Sequence, residues 1–375
     1  MTSLSRRDFL TLSATGTLAA SRALTSRASL RFAAVGQALI LRDLATQYQA
    51  GFDQMREILG RTDVAFTNLE VAIRGPRAQN ATPLGAGVNA APVVLDSLRR
   101  LSFNLLSLSN NHAADLGEAG LLSTIEETTR RGFTIAGTGP TLVEAARPGI
   151  LQVPKGRIAL IAMASSAVRP DAIATASRAG VNHVAQRGGV VDPADSARVL
   201  DAIRTAASQA EWVVVYQHDH YWAPDWQQTP EWKKAWCRAC IDAGASVFVS
   251  HGVPILHGIE IYKGRPIFYG LGNFVFHASI EFQGNVPALY TSAPVFQSVV
   301  ANCEFDGNRL TSMWLDPITL KSDTGVGEGN YKLHGNPRLA TGAEAQEILT
   351  RLATLSKAVG TDLEIVGTRA RVKVG

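Results

Sequence analysis

Five apolar runs in this 375-residue chain each break off at a polar cluster, and that repeated junction constrains the fold more than any other feature. Leu30 to Val35 ends at Gly36-Gln37, Val64 to Thr67 at Asn68-Leu69-Glu70, and Phe103 to Leu108 at Asn110-Asn111-His112. Trp212 to Tyr216 ends at His218-Asp219-His220, and Ala245 to Val249 at Ser250-His251. Short apolar runs with amphipathic segments between them read as βα units. In open α/β proteins ligands bind outside the carboxyl ends of the strands. His, Asn, Asp and Glu repeated at strand ends therefore predict one shared site, suited to metal binding or acid-base chemistry.

The intervening segments carry helix punctuation. Asp192-Pro193 opens a segment with apolar residues at Val199, Leu200, Ile203, Ala206 and Ala207, and Thr229-Pro230 opens another that stops at Gly244. Both place a capping side chain before a proline at the first helical position, where the missing N–H costs nothing. Thr341 with Glu344 predicts a capping box ahead of Ile348, Leu349, Leu352 and Leu355, with Gly360 as the stop. From Ile259 the pattern turns β-rich, with one hairpin across Lys263-Gly264 and another around Asp306-Gly307. No linker separates the two parts. One α/β domain over residues 29–375, with strands in two packed layers and helices outside, is the expected architecture.

The N-terminus stands apart. Ser5-Arg6-Arg7-Asp8-Phe9-Leu10 and the small, apolar stretch to Ala20 resemble a twin-arginine export signal within residues 1–28, with cleavage expected after Ala23 or Ala28. The stretch is too short for a membrane anchor, which needs about 20 apolar residues. The mature chain is expected to lack a transmembrane helix and to reach the periplasm or cell surface. Loss of residues 1–23 removes three arginines and one aspartate, so the formal charge falls from +4 to +2. No Lys/Arg block with interleaved aromatics is present, which argues against nucleic acid as a partner. Cys237 and Cys240 form a C-x-x-C inside a helix and Cys303 sits in a strand; a zinc ribbon would need a second pair, so buried thiols are expected.

Each cluster has its own chemistry. Asn111-His112, followed by Asp115, Gly117 and Glu118, sits where a strand gives way to a helix: the imidazole can ligate a metal or move a proton, and the amide can coordinate or bind an oxyanion. His218 and His220 flank Asp219, and alternate side chains of an extended segment point the same way. Asn68 and Glu70 share a face for the same reason, with Glu70 suited to a base or a ligand. His251 is followed by Gly252, which leaves room beside the backbone. Trp222 and Trp226, in the loop after the histidine pair, can form a platform for a sugar or apolar face. There is no G-x-S-x-G, Walker or H-E-x-x-H motif.

Taken in order, Asn68-Leu69-Glu70, Asn110-Asn111-His112-Ala113-Ala114-Asp115-Leu116-Gly117, Ile135-Ala136-Gly137-Thr138-Gly139, Val213-Val214-Val215-Tyr216-Gln217-His218 and Tyr269-Gly270-Leu271-Gly272-Asn273-Phe274 resemble the CapA family. These are capsule synthesis and poly-γ-glutamate biosynthesis proteins with a calcineurin-like metallophosphatase fold. The resemblance runs from about residue 30 to 278 and implies a four-layer α/β/β/α sandwich. It also brings departures: Gln37 stands where the family usually has an aspartate, Pro254 leaves out a second histidine after His251, and His220 is additional. A two-metal centre needs a bridging anion, which Gln37 cannot supply.

Two functions follow as expectations. In the first, a metal-assisted hydrolase or transferase of cell-envelope material, one divalent metal ion is held among His112, His218, His220 and His251; Asn111, His112, Asp219 and Glu70 form the catalytic set, and Asn68 and Asn273 bind substrate. In the second, a non-catalytic factor binds an anionic or sugar polymer of the cell envelope, with Trp222 and Trp226 as its platform.

Overall fold

Neighbouring residues of the strand Ser29–Ala34 go to different cores: Phe32 and Ala34 join one buried cluster, Ala33 and the following Val35 another. Val64–Asn68 divides in the same way, with Val64 and Phe66 on one side and Ala65 on the other. Strands covered on both faces show as near-continuous apolar runs, which is the signature in the sequence, broken here at the exposed Arg31. The computed structural model describes residues 29–47, 49–221, 225–277, 293–321 and 335–373. The arginine pair of the expected export signal lies outside these residues.

Two sheets result. The nine-stranded sheet runs Leu363–Val366, Arg369–Val372, Arg309–Thr319, Gln297–Asp306, Ser29–Ala34, Val64–Asn68, Leu105–Ser107, Thr134–Ala136, with Arg338–Leu339 paired to Arg309–Thr319. Its last four strands are mutually parallel, and the pairing of Ser29–Ala34 with Gln297–Asp306 is antiparallel. The six-stranded sheet runs Ile259–Tyr262, Arg265–Phe268, Val247–Gly252, Trp212–Asp219, Gly156–Ala164, Gly149–Val153, and its four inner strands are parallel.

The sheets pack face to face through Phe32, Phe66 and Leu105 from one and Leu160, Val214, Tyr216 and Val249 from the other. The rings of Phe66 and Tyr216 lie 5.6 Å apart. Helices Gln49–Leu59 and Val93–Arg100 cover the outer face of the larger sheet with Phe52, Met55, Leu59, Val94, Leu95 and Leu98. Helices Pro193–Gln209 and Glu231–Ala243 cover the smaller sheet with Val199, Ile203, Trp236, Cys237, Cys240 and Ile241. This is the expected α/β domain in four layers. The C-terminal helix Gly342–Lys357 inserts Ile348, Leu349 and Leu352 at one end of the inter-sheet core. Ser356 and Thr361 then accept hydrogen bonds from the edge strand at Ile259 N (3.1 Å) and Ile261 N (3.0 Å), which removes an open edge.

Local signals are met with two exceptions; at the first, Pro230 rather than Thr229 stands at the cap of the helix Glu231–Ala243, which has no side-chain cap bond. Asp192 Oδ1 accepts from Ala194 N at 3.0 Å and Asp195 N at 3.1 Å, the cap its position predicts. Lys263 and Gly264 turn with φ of +52° and +73°, as a two-residue hairpin requires. Thr341 precedes its helix without a side-chain cap bond; Glu344 pairs instead with Arg338 at 3.3 Å, a charged partner that outcompetes the neutral backbone N–H. The three cysteines are buried and unbonded to one another, and burial raises each thiol pKa.

His277 ties strand ends together inside the fold. Its Nδ1 accepts from Leu41 N at 2.9 Å, which leaves Nε2 to donate to Asn336 Oδ1 at 3.0 Å, and burial pushes its pKa down to about 3. The unfolded chain takes up a proton at this residue below about pH 6.5 and the folded one does not, so the stability it contributes is lost as pH falls. His277→Gln is expected to flatten the fall of urea-unfolding stability between pH 6.5 and 4 by about one proton, roughly 1.4 kcal/mol per pH unit. An unchanged slope would contradict this.

Candidate functional site

The carboxyl ends of the two parallel strand sets meet at one edge of the sandwich. Glu70 stands two residues beyond the end of Val64–Asn68, held by its own N–H to the Ala38 carbonyl at 3.0 Å. His218 faces it from Trp212–Asp219, with Nε2 3.6 Å from Glu70 Oε1. His218 and His220 share a side of the extended chain, as period two requires, and their Nε2 atoms are 3.0 Å apart. Tyr216, one further step back on that side, places its hydroxyl 3.2 Å from His218 Nδ1. His251 is the register partner of His218 in the neighbouring strand. Gly252, with φ +120°, is needed there, because a Cβ would lie 2.2 Å from the Asp219 carbonyl oxygen.

Glu70, His218 and His220 offer one ligand atom each, all within 4.8 Å of one another. Ligands at 2.0–2.1 Å around a tetrahedral zinc lie roughly 3.3 Å apart, so the 3.0 and 3.6 Å separations fit a cation between them. A second observation points the same way. Glu70 Oε2 is buried without a hydrogen-bond partner, as is Asn68 Nδ2. A buried carboxylate oxygen left unpaired is costly unless something positive satisfies it.

His112 lies at the end of the Leu105–Ser107 run. Its N–H donates to Asn110 Oδ1 at 3.0 Å, and its Nδ1 is 2.9 Å from Asp115 Oδ2. Asp115 is itself held by Val88 N at 2.8 Å and by Arg169 at 3.6 Å. Asn110 also donates to Asn68 Oδ1 at 3.2 Å and to the Leu69 carbonyl at 2.8 Å, locking two strand ends together. Asn111 is half-buried with its Oδ1 unpaired.

Burial dominates the electrostatics. It lifts the Glu70 carboxyl to about 7, against the pull of His112, with Asp115 adding to the rise. It presses His220 to about 4 and His251 to about 3, and holds His218 well below the usual imidazole range. These three rings are therefore neutral near pH 7, the form that ligates metals. His112 differs: burial lowers it, but the Asp115 hydrogen bond and the Glu70 and Asp115 charges more than offset that, and its pKa is raised.

Other predicted positions have different surroundings. Asp219 points to the opposite side of its strand, where its carboxylate meets Ser166 Oγ at 2.9 Å and Lys233 Nζ at 3.3 Å. Asn273 is fully buried and donates to the Pro254 and Val295 carbonyls while accepting from Gln37 Nε2 at 3.0 Å. Gln37 in turn accepts from Gly252 N at 3.2 Å. Trp226 packs against the outer core of the larger sheet, and its carbonyl is 3.0 Å from His257 Nε2. Trp222 lies outside the described residues.

A family model for the bacterial capsule synthesis protein PGA_cap matches residues 11–278. The chain belongs to this family. Among its relatives, an uncharacterized protein of Sinorhizobium fredii is 29% identical over 423 aligned positions, covering 88% of this chain and 90% of its own. The PGA biosynthesis protein CapA of Bacillus subtilis is 32% identical over 180 positions, 48% of this chain and 44% of that one. A hypothetical protein from Thermus thermophilus superposes with a TM-score of 0.43 at 15% identity, covering 76% and 97% of the two chains.

Sequence reasoning on this chain missed Ser166 and Lys233 as members of the site's surroundings, and it placed Asn110 in a strand-end cluster without its role in tying two strand ends together. Lys233 had a signal: it heads the buried stripe of Trp236, Cys237, Cys240 and Ile241 at helical spacing, a charge in an apolar row. Ser166 had none, because a small polar residue after a strand is ordinary. If Asp115 raises His112 as the geometry requires, an NMR titration should place the His112 pKa above about 6.5 and Asp115→Asn should lower it. A value insensitive to that substitution would remove the pair from the account.

Proposed function

We propose that this capsule-synthesis family member is an exported, metal-assisted hydrolase or transferase acting on an anionic cell-envelope polymer of the capsule or poly-γ-glutamate type. The observation that carries it is the convergence of Glu70, His218 and His220 within 4.8 Å around the unpaired Glu70 oxygen. A divalent cation held there, with His251 and His112 beside it, would polarise an acyl or phosphoryl oxygen and acidify a bound water. His112, oriented by Asp115, is the proton carrier of the reading. Asn68 and Asn111 have buried polar atoms without partners and orient the reacting group. Asp219, turned away from the triad, holds the strand end.

Protein purified without chelator should contain close to one divalent metal per chain, and His218→Ala should lose it. Less than about one tenth of a metal per chain, unchanged in His218→Ala, would reject the proposal; the threshold allows for incidental binding to an exposed histidine. Export is read from the paired arginines. Arg6→Lys with Arg7→Lys should leave the precursor in the cytoplasmic fraction, and unaltered export would contradict a twin-arginine route.

Gln37 favours a second reading, a non-catalytic polymer-binding factor. Its amide is committed to Asn273 and Gly252, so the position usual for a bridging carboxylate is filled by a neutral cross-link. In that case the histidines and amides bind polymer directly. Polymer affinity that survives metal removal, and falls with Trp226→Ala, would decide for it over the first.

A further inference from the structure

The ammonium group of Lys233 is buried at the start of the helix Glu231–Ala243, where the positive end of the helix dipole disfavours a cation. Taking such a group out of water costs several kcal/mol unless it is well paired. Among the described residues it meets Asp219 Oδ2 at 3.3 Å and the ring of Tyr221, 4.8 Å from Nζ to its centre. Asp219 and Tyr221 flank His220 in sequence, so the contacts grip the chain on both sides of one metal-site imidazole.

A third grip comes from the bend just beyond the adjacent strand Gly156–Ala164. Ser166 Oγ lies 2.9 Å from Asp219 Oδ1 and 2.8 Å from the His220 carbonyl, and it also accepts from the His220 N–H. The hydroxyl accepts from the His220 N–H and has one proton to give, shared between the His220 carbonyl and the carboxylate that Lys233 holds, so it links that carboxylate to the backbone of His220. His220 stands just past the end of its strand, where no ladder hydrogen bond orients it.

We propose that Lys233, acting through Asp219 and Ser166, is a positioning residue that holds His220 in ligand geometry opposite His218 and Glu70. The proposal rests on the metal reading given above. It separates two jobs within one triplet: His218 and His220 face the cation, and Asp219 faces the clamp that aims the second of them.

The test is zinc affinity, measured by competition with a chromogenic chelator on the purified chain, together with the melting temperature of the metal-free protein. Replacing a buried ion pair by apolar groups of similar size is often neutral or stabilising, so Lys233→Met combined with Asp219→Leu should keep the metal-free melting temperature. Zinc affinity should nonetheless fall by about 10- to 100-fold, the cost usual for losing a partner behind a ligand. Ser166→Ala should weaken zinc in the same direction, and it reads the clamp if the double variant does not fold. Affinity within about twofold of wild type in a folded variant would overturn the clamp alone, against the tenfold floor expected for such partners. Failure of the wild-type chain to bind zinc, manganese or any other divalent ion would overturn the metal reading and the clamp together.

Discussion

Everything at the site depends on the contact between two sheets, the larger drawn from both ends of the chain and the smaller from its middle. Phe66 and Tyr216 meet in the inter-sheet core, and each sits two residues before a strand-end group that faces the other sheet's, Asn68 and His218. Because side chains alternate along each strand, fixing the aromatic pair fixes what comes two and four positions later. Glu70 therefore reaches His218 across the gap between layers, although 148 positions separate them by numbering. Truncating either ring would cost the core a few kcal/mol, and would loosen the register of the donors beyond it.

The same burial that builds the core sets the chemistry. Water is excluded from around His218 and Glu70, so the imidazoles stay neutral and the carboxyl resists ionisation until about pH 7. A metal-free site of this kind is held in its least charged form. Charge is concentrated instead at two places set back from it, the Asp115–Arg169 contact behind His112 and the Asp219–Lys233 contact behind His220.

The layers were legible in the sequence because parallel strands covered on both faces are predominantly apolar, and the runs to Val35, Thr67, Leu108, Tyr216 and Val249 are, with Arg31, Asn104, Ser107 and Ser246 as interruptions. The spacing of His218 and His220 was legible too, since an extended chain has period two. What the sequence hid was distance in space. Glu70 joins the two histidines through a cross-sheet approach that no local pattern encodes, and Gln37 turns inward to Asn273 and Gly252 through contacts more than 200 positions apart. The Thr341 capping box failed for a related reason: Arg338, outside the motif, takes the glutamate. Motifs report what a residue is able to do, and tertiary neighbours decide which of its options is used.

The triplet His218-Asp219-His220 shows what period two costs a protein in freedom to vary. Inserting or deleting one residue in the strand Trp212–Asp219 would turn both imidazoles toward the helices and the aspartate toward Glu70. Two carboxylates would then face each other in a dry cleft while Lys233 met a histidine. Such a frame slip leaves composition and hydrophobicity almost untouched, yet inverts the electrostatics of both sides at once. This stretch can be altered by substitution but not by length.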